Sequence, residues 1–150
     1  MEEKMDYKIS VSLEGNEDFT TFLHHNIREY NNAHSPKHKE KREENAVKPL
    51  TLIVSDSTGK WLGGLYAECY WNWMEIHDFW LQEESRGRGI GTKILEEAER
   101  IAIKKGVRKA LLTTFEFQAR SFYESKGYEV VGEIMDYPPG SSYYTMVKTL

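Results

Sequence analysis

The sequence predicts an α/β domain on a mixed, mostly antiparallel twisted sheet with flanking helices. Three observations carry this. Apolar residues switch several times between twofold alternation and helical spacing. Three strand-like runs between Leu50 and Gln82 lie only a few residues apart, which suits an antiparallel meander. The full element order is strand, helix, three strands, helix, strand, helix, two strands, which requires a mixed sheet.

Tyr7–Ser12 alternates, with Ile9 and Val11 on one side, and predicts a short first strand. Phe19, Phe22, Leu23, Ile27 and Tyr30 fall at helical spacing, so Glu17–Asn32 predicts an amphipathic helix with Asn16 as its cap. His34–Lys48 mixes charges around Pro36 and predicts a loop or a ragged second helix. Leu50–Ser55, Trp61–Tyr70 and Trp73–Gln82 are the meander strands, joined at Asp56–Gly59 and near Trp71-Asn72. A Gly-rich segment, Ser85–Gly91, leads into a helix with Ile94, Leu95, Ala98, Ile101 and Ala102 as its buried stripe and Gly106 at its end. Lys109–Phe115 is a strand, Gln118–Lys126 a short helix, and Tyr128–Ile134 and Tyr143–Thr149 the last two strands.

No linker, repeat or low-complexity tract divides the chain, so residues 1–150 are read as one domain. At this length a chain buries about 70% of the surface its unfolded form exposes. Hydrophobic residues make up 39% of the chain, too many for a disordered segment. The net charge of −4 argues against a general nucleic-acid binder. The charge is uneven. Arg86–Lys126 holds ten Lys/Arg against five Asp/Glu, a net of +5, and the rest holds ten against nineteen, a net of −9. That pattern suits an anionic ligand on one half and a cationic or neutral one on the other. Cys69 is the one cysteine, so no internal disulfide or Cys-rich metal site is expected. His24-His25 has no companion ligand pattern, and no metal is expected. The Met1–Asp6 start lacks signal-peptide character, and no run suits a membrane span. The expectation is a cytoplasmic protein.

Arg86-Gly87-Arg88-Gly89-Ile90-Gly91-Thr92 sits between a strand and a helix. Glycines let a backbone turn sharply and approach a ligand, and a helix N-terminus adds free N–H donors with partial positive charge. The segment therefore predicts a phosphate or pyrophosphate site. It is neither a P-loop, because Thr92-Lys93 follows Gly91 at the wrong spacing, nor a dinucleotide fingerprint, because position 92 is Thr.

Here the chain resembles the GNAT acetyltransferase superfamily, whose pyrophosphate motif [QR]-x-x-G-x-[GA] is met by Arg86, Gly89 and Gly91. The motif follows the apolar strand Phe79-Trp80-Leu81 and opens an amphipathic helix. Phe122-Tyr123-Glu124-Ser125-Lys126-Gly127-Tyr128 is similar to the family's F-Y-x-x-x-G-[FY] segment. The resemblance spans nearly the whole chain and is weakest over His34–Lys48. It extends to a group of small bacterial members through Phe117-Gln118-Ala119 and Tyr137-Pro138-Pro139-Gly140.

The resemblance implies a GNAT-like fold with splayed central strands and acetyl-CoA as donor. It implies pyrophosphate binding by Arg86, Gly87, Arg88, Gly89, Ile90, Gly91 and Thr92, and pantetheine pairing along Phe79 and Leu81. Many members hold the pantetheine with an Asn seven residues before the tyrosine. This chain has Glu116 there, and Gln118 is the nearest amide. Tyr123 matches the family's general acid, and a Tyr hydroxyl stays protonated at neutral pH.

The general base is open among Glu68, Glu75, His77 and Asp78. Strict alternation puts Ile76, Asp78 and Trp80 on one face and His77, Phe79 and Leu81 on the other. Asp78, one residue before the pantetheine strand contact, ranks first. Tyr66, Tyr70, Trp71, Trp73 and Trp80 crowd adjacent strands and read as core or a dimer face ahead of an acceptor wall. The activity implied is N-acetyl transfer to a primary amine of a small molecule or peptide, directly within a ternary complex. A homodimer is in keeping with the family. The rival is a catalytically silent acyl-CoA-binding or partner-binding module on the same fold.

Overall fold

The computed structural model describes residues 4–150. Residues 1–3, part of the Met1–Asp6 start discussed above, lie outside the described residues. The chain divides into two compact units, Met1–Glu40 and Lys41–Leu150.

The first unit is built on helix α1 (Glu17–His34). Asn16 caps it as expected, its Oδ1 accepting from the Phe19 amide at 3.0 Å, ahead of the acidic Glu17 and Asp18. The helix runs two residues past the expected end. His34 Nδ1 contacts the Tyr30 carbonyl at 2.8 Å and its ring stacks on Tyr30, which holds the extra half-turn. A short helix α2 (Pro36–Lys41) then forms, with Pro36 at its first position. Tyr7–Ser12 is not a strand. It is irregular, and Tyr7, Ile9 and Val11 are exposed. Alternation alone does not make a strand, because a ladder needs a partner, and the described residues of this unit contain none.

The second unit carries a six-stranded sheet: β1 (Lys48–Ser55), β2 (Trp61–Tyr70), β3 (Trp73–Leu81), β4 (Lys109–Phe115), β5 (Glu129–Met135) and β6 (Ser142–Thr149), in the order β1-β2-β3-β4-β6-β5. Every neighbouring pair is antiparallel except β3 and β4. The expected meander is thus β1–β2–β3, and Trp71-Asn72 closes its second hairpin with positive φ at both residues. Helices α3 (Ile90–Lys104) and α4 (Arg120–Ser125) complete the unit.

The core lies under α3. Ile94, Leu95, Ala98 and Ala102 belong to one buried cluster with Leu65, Ala67, Met74, Ile76, Leu112 and Met146. The helix is also tied by charge. Glu99, almost fully buried, accepts from Lys148 Nζ of β6 at 2.6 and 2.9 Å.

Two irregularities in β3 shape everything that follows. Its parallel pairing with β4 covers only Trp73, Met74 and Glu75, and from Ile76 to Leu81 it has β2 on one side and, among the described residues, no strand on the other. The central strands therefore splay, as the resemblance implied. On the β2 side the register slips: Tyr66 faces Asp78 and Ala67 faces Ile76, leaving His77 as the extra residue of a bulge.

Candidate active site

The splay opens a cleft of about 830 Å³. One wall is β3 from Ile76 to Leu81, and the other is β4 from Leu112 to Thr114. The glycine loop and Phe117–Ala119 with Phe122 and Tyr123 complete the lining, and the two meet at Gly91, where an added Cβ would lie 3.6 Å from Phe122 Cζ. The volume falls within the range of small-molecule sites. Among the sequence-predicted residues, Asp78, Phe79, Leu81, Arg86, Gly87, Gly89, Gly91, Thr92, Gln118 and Tyr123 all line it. Arg88 and Ile90 do not.

The loop has the features an anion needs. Gly87 and Gly89 have φ of +71° and +78°, left-handed values that glycine adopts at no steric cost. Gly89 stands at the start of α3, where no side chain caps the first turn and no acidic residue occupies it. The first amides of a fifteen-residue helix thus remain available, and the helix dipole favours a negative charge beside them. Arg86 and Arg88 are each anchored through Nε alone, Arg86 to the Leu81 carbonyl at 2.8 Å and Arg88 to the Glu84 carbonyl at 3.2 Å. The terminal nitrogens of both carry no hydrogen bond among the described residues, which leaves them able to donate to an anion. The donor set fits a pyrophosphate, and the unpaired stretch of β3 beside it fits an extended, amide-bearing arm.

Tyr123 is 7% exposed and packs edge-on against Phe79, Phe122 and Tyr128. Burial pushes its hydroxyl up to about 12. Among the described residues that hydroxyl has no hydrogen-bond partner. Gln118 is held by its carbonyl oxygen, which accepts from the Phe115 amide at 2.9 Å, so its Nε2 is left to donate.

The bulge corrects the face assignment along β3. Ile76 is buried in the core cluster against which Phe79 packs, and Leu81 belongs to the same cluster. Asp78 shares the side of its register partner Tyr66. His77 is there too: its ring stacks on Tyr66 at 5.8 Å, and its Nε2 lies 2.8 Å from Glu68 Oε1. Glu75 Oε1 lies 3.6 Å from His77 Nδ1, and the other Glu75 oxygen accepts a short hydrogen bond from the Tyr70 hydroxyl. Burial first, then that bond to Glu75, raises Tyr70 to about 12. All four candidate bases therefore join one face of β2 and β3, and Asp78 and His77 reach the cleft. Of the aromatic cluster read as core or a dimer face, none is core: Trp80 is 59% exposed, Tyr66 and Trp71 are exposed, and Tyr70 and Trp73 are half-buried.

Comparison with known proteins agrees with this geometry. The model of the acetyltransferase (GNAT) family matches residues 19–128. A blasticidin-S acetyltransferase of Streptomyces morookaense is 34% identical over 108 residues, which span 69% of this chain and 79% of that protein. The crystal structure of an acetyltransferase from Bacillus cereus superposes with a TM-score of 0.78 at 28% identity, covering 94% of this chain and 98% of that one. A Bacillus anthracis chain solved in complex with acetyl coenzyme A shares the fold at 16% identity and a TM-score of 0.58, over 75% of this chain and 67% of its own. The chain belongs to the GNAT acetyltransferase family, and it is an N-acetyltransferase that draws its acetyl group from acetyl-CoA.

Proposed function

We propose that residues 1–150 act as one cytoplasmic acetyltransferase domain that acetylates a primary amine on a small molecule or peptide. Transfer is direct, with donor and acceptor bound together. A homodimer is the assembly consistent with the family. One observation carries the reading: the glycine loop and Tyr123 line a single cleft at the point where β3 and β4 part. Among the described residues no helix is long and apolar enough to cross a membrane.

Arg86, the amides of Gly87 to Thr92, and Arg88 hold the pyrophosphate. The backbone at Phe79 and Leu81 pairs with the pantetheine arm, and Gln118 Nε2 takes the place of the missing Asn. Acetyl-CoA supplies a thioester-activated acetyl group. Asp78 removes a proton from the incoming ammonium, freeing the lone pair that forms the new C–N bond. Tyr123 gives its hydroxyl proton to the sulfur as the C–S bond breaks, and the second proton shed by the nitrogen as it becomes an amide restores the Tyr123 hydroxyl through solvent. The burial of Tyr123 supports this role, because it keeps the acid protonated across neutral pH. The bulge supports a second reading of the base, in which His77, held at Nε2 by Glu68, receives the proton at Nδ1.

The test is amine-dependent release of free thiol from acetyl-CoA, with the acetylated amine identified by mass spectrometry. Turnover over a panel of primary amines is expected. Saturable acetyl-CoA binding with no turnover of any amine favours the silent binding module instead.

A further inference from the structure

The cleft lining also includes an aromatic shelf that the transfer chemistry does not use. Phe117 lines the cleft and is 70% exposed. Its ring lies parallel to Phe115, 5.4 Å away with 9° between the planes. Phe115 packs in turn on Tyr143 at 4.7 Å and Tyr137 at 6.1 Å, and those two tyrosines meet at 5.5 Å.

The shelf is built rather than loose. Phe115 and Tyr143 are register partners on β4 and β6. The turn after β4 is pinned by the Glu116 amide donating to the Ser142 carbonyl at 2.8 Å. Gln118 bonds back to Phe115 through both its backbone amide and its side chain. One face of the Phe117 ring is thus covered, and the high exposure of the residue leaves the other face to solvent.

A stacked ring with one open face gains most from a second flat ring, and a contiguous exposed aromatic patch beside a cleft marks a binding surface. The rim at β3 has the opposite character. His77 and Asp78 line it, with Glu68 and Glu75 in contact behind His77. It suits a cationic amine. Both groups line the one cleft, so a single ligand can meet both, with a planar ring on Phe117 and a primary ammonium beside His77 and Asp78.

We propose that Phe117, backed by Phe115, Tyr137 and Tyr143, stacks a planar aromatic ring of the acceptor, so that the substrate class is ring-bearing primary amines. This rests on the acetyltransferase reading above and narrows its acceptor.

The test compares phenethylamine and tryptamine with the saturated analogue cyclohexylethylamine, in the wild type and in Phe117→Leu and Phe117→Tyr. The ring amines are expected to exceed the saturated amine by about three- to tenfold in kcat/KM. That ratio falls to about one in Phe117→Leu and returns in Phe117→Tyr. A ratio near one in the wild type overturns the inference, and so does a ratio that persists in Phe117→Leu. Acetyl-CoA titration by calorimetry separates the levels. Weakened acetyl-CoA binding in Phe117→Leu assigns the ring to the donor and overturns the inference alone. No acetyl-CoA binding by the wild type overturns the acetyltransferase reading and the inference together.

Discussion

Removing one oxygen from Tyr123 separates chemistry from folding. Tyr123→Phe keeps the ring contacts to Phe79, Phe122 and Tyr128, at centroid distances of 6.4, 5.5 and 5.7 Å. The hydroxyl has no protein partner among the described residues, so its loss at neutral pH changes stability by no more than about 1 kcal/mol. As the proton donor, however, it is worth about 10²- to 10⁴-fold in rate. The pH dependence adds a second signature. Burial raises the folded-state value to about 12, against an ordinary value of about 10. A group raised on folding contributes stability that is complete below its unfolded value and is lost as pH climbs through its folded value. Wild type should therefore lose up to about 3 kcal/mol relative to Tyr123→Phe between about pH 10 and pH 12. The same value means that Tyr123 is not the source of any activity loss below about pH 11. Thiol-release kinetics, acetyl-CoA calorimetry and urea unfolding at neutral and alkaline pH read the three quantities. A kcat within threefold of wild type, with acetyl-CoA still bound, refutes the acid role.

Three other perturbations probe the frame around the site. Lys148→Met leaves the Glu99 carboxylate buried and unpaired on α3; the expected cost is about 3–5 kcal/mol, read as a Tm lower by about 6–20 °C, and a drop under 1 kcal/mol contradicts it. Gly64→Ala places a Cβ 2.0 Å from the Leu52 carbonyl oxygen, so β1 and β2 must part; a loss of at least about 1–3 kcal/mol in urea unfolding is expected, and an unchanged midpoint contradicts it. Gln118→Ala removes the acceptor of the Phe115 amide and the donor assigned to the pantetheine arm; about 1 kcal/mol of stability and a weaker acetyl-CoA Kd should be lost together, and an unchanged Kd removes Gln118 from the donor site.

The sheet was largely legible in the sequence because its signals are local. β2 and β4 run between the residues that alternation and turn chemistry predicted, and the loop glycines announced the anion site before α3. Tyr7–Ser12 was misread for the opposite reason: its alternation is local, but a strand depends on a partner that the sequence pattern does not contain. The bulge at His77 is likewise a property of pairing. It moves Asp78 away from the side of Ile76 and gathers Glu68, Glu75 and His77 with it. Each of those side chains was a candidate in the sequence, but their meeting required the register. The aromatic shelf escaped because Phe115, Phe117, Tyr137 and Tyr143 come from three separate segments, and no periodic signal links them.

The proposed function stands or falls with the loop from Arg86 to Thr92 as the holder of the donor's pyrophosphate. Calorimetric titration of the wild type with acetyl-CoA, CoA and desulfo-CoA, beside an Arg86→Glu/Gly89→Glu variant of unchanged fold, tests it most directly. Saturable one-to-one binding of all three ligands by the wild type, and its loss in the variant, are expected. Binding that survives in the variant, or no binding by the wild type, contradicts it.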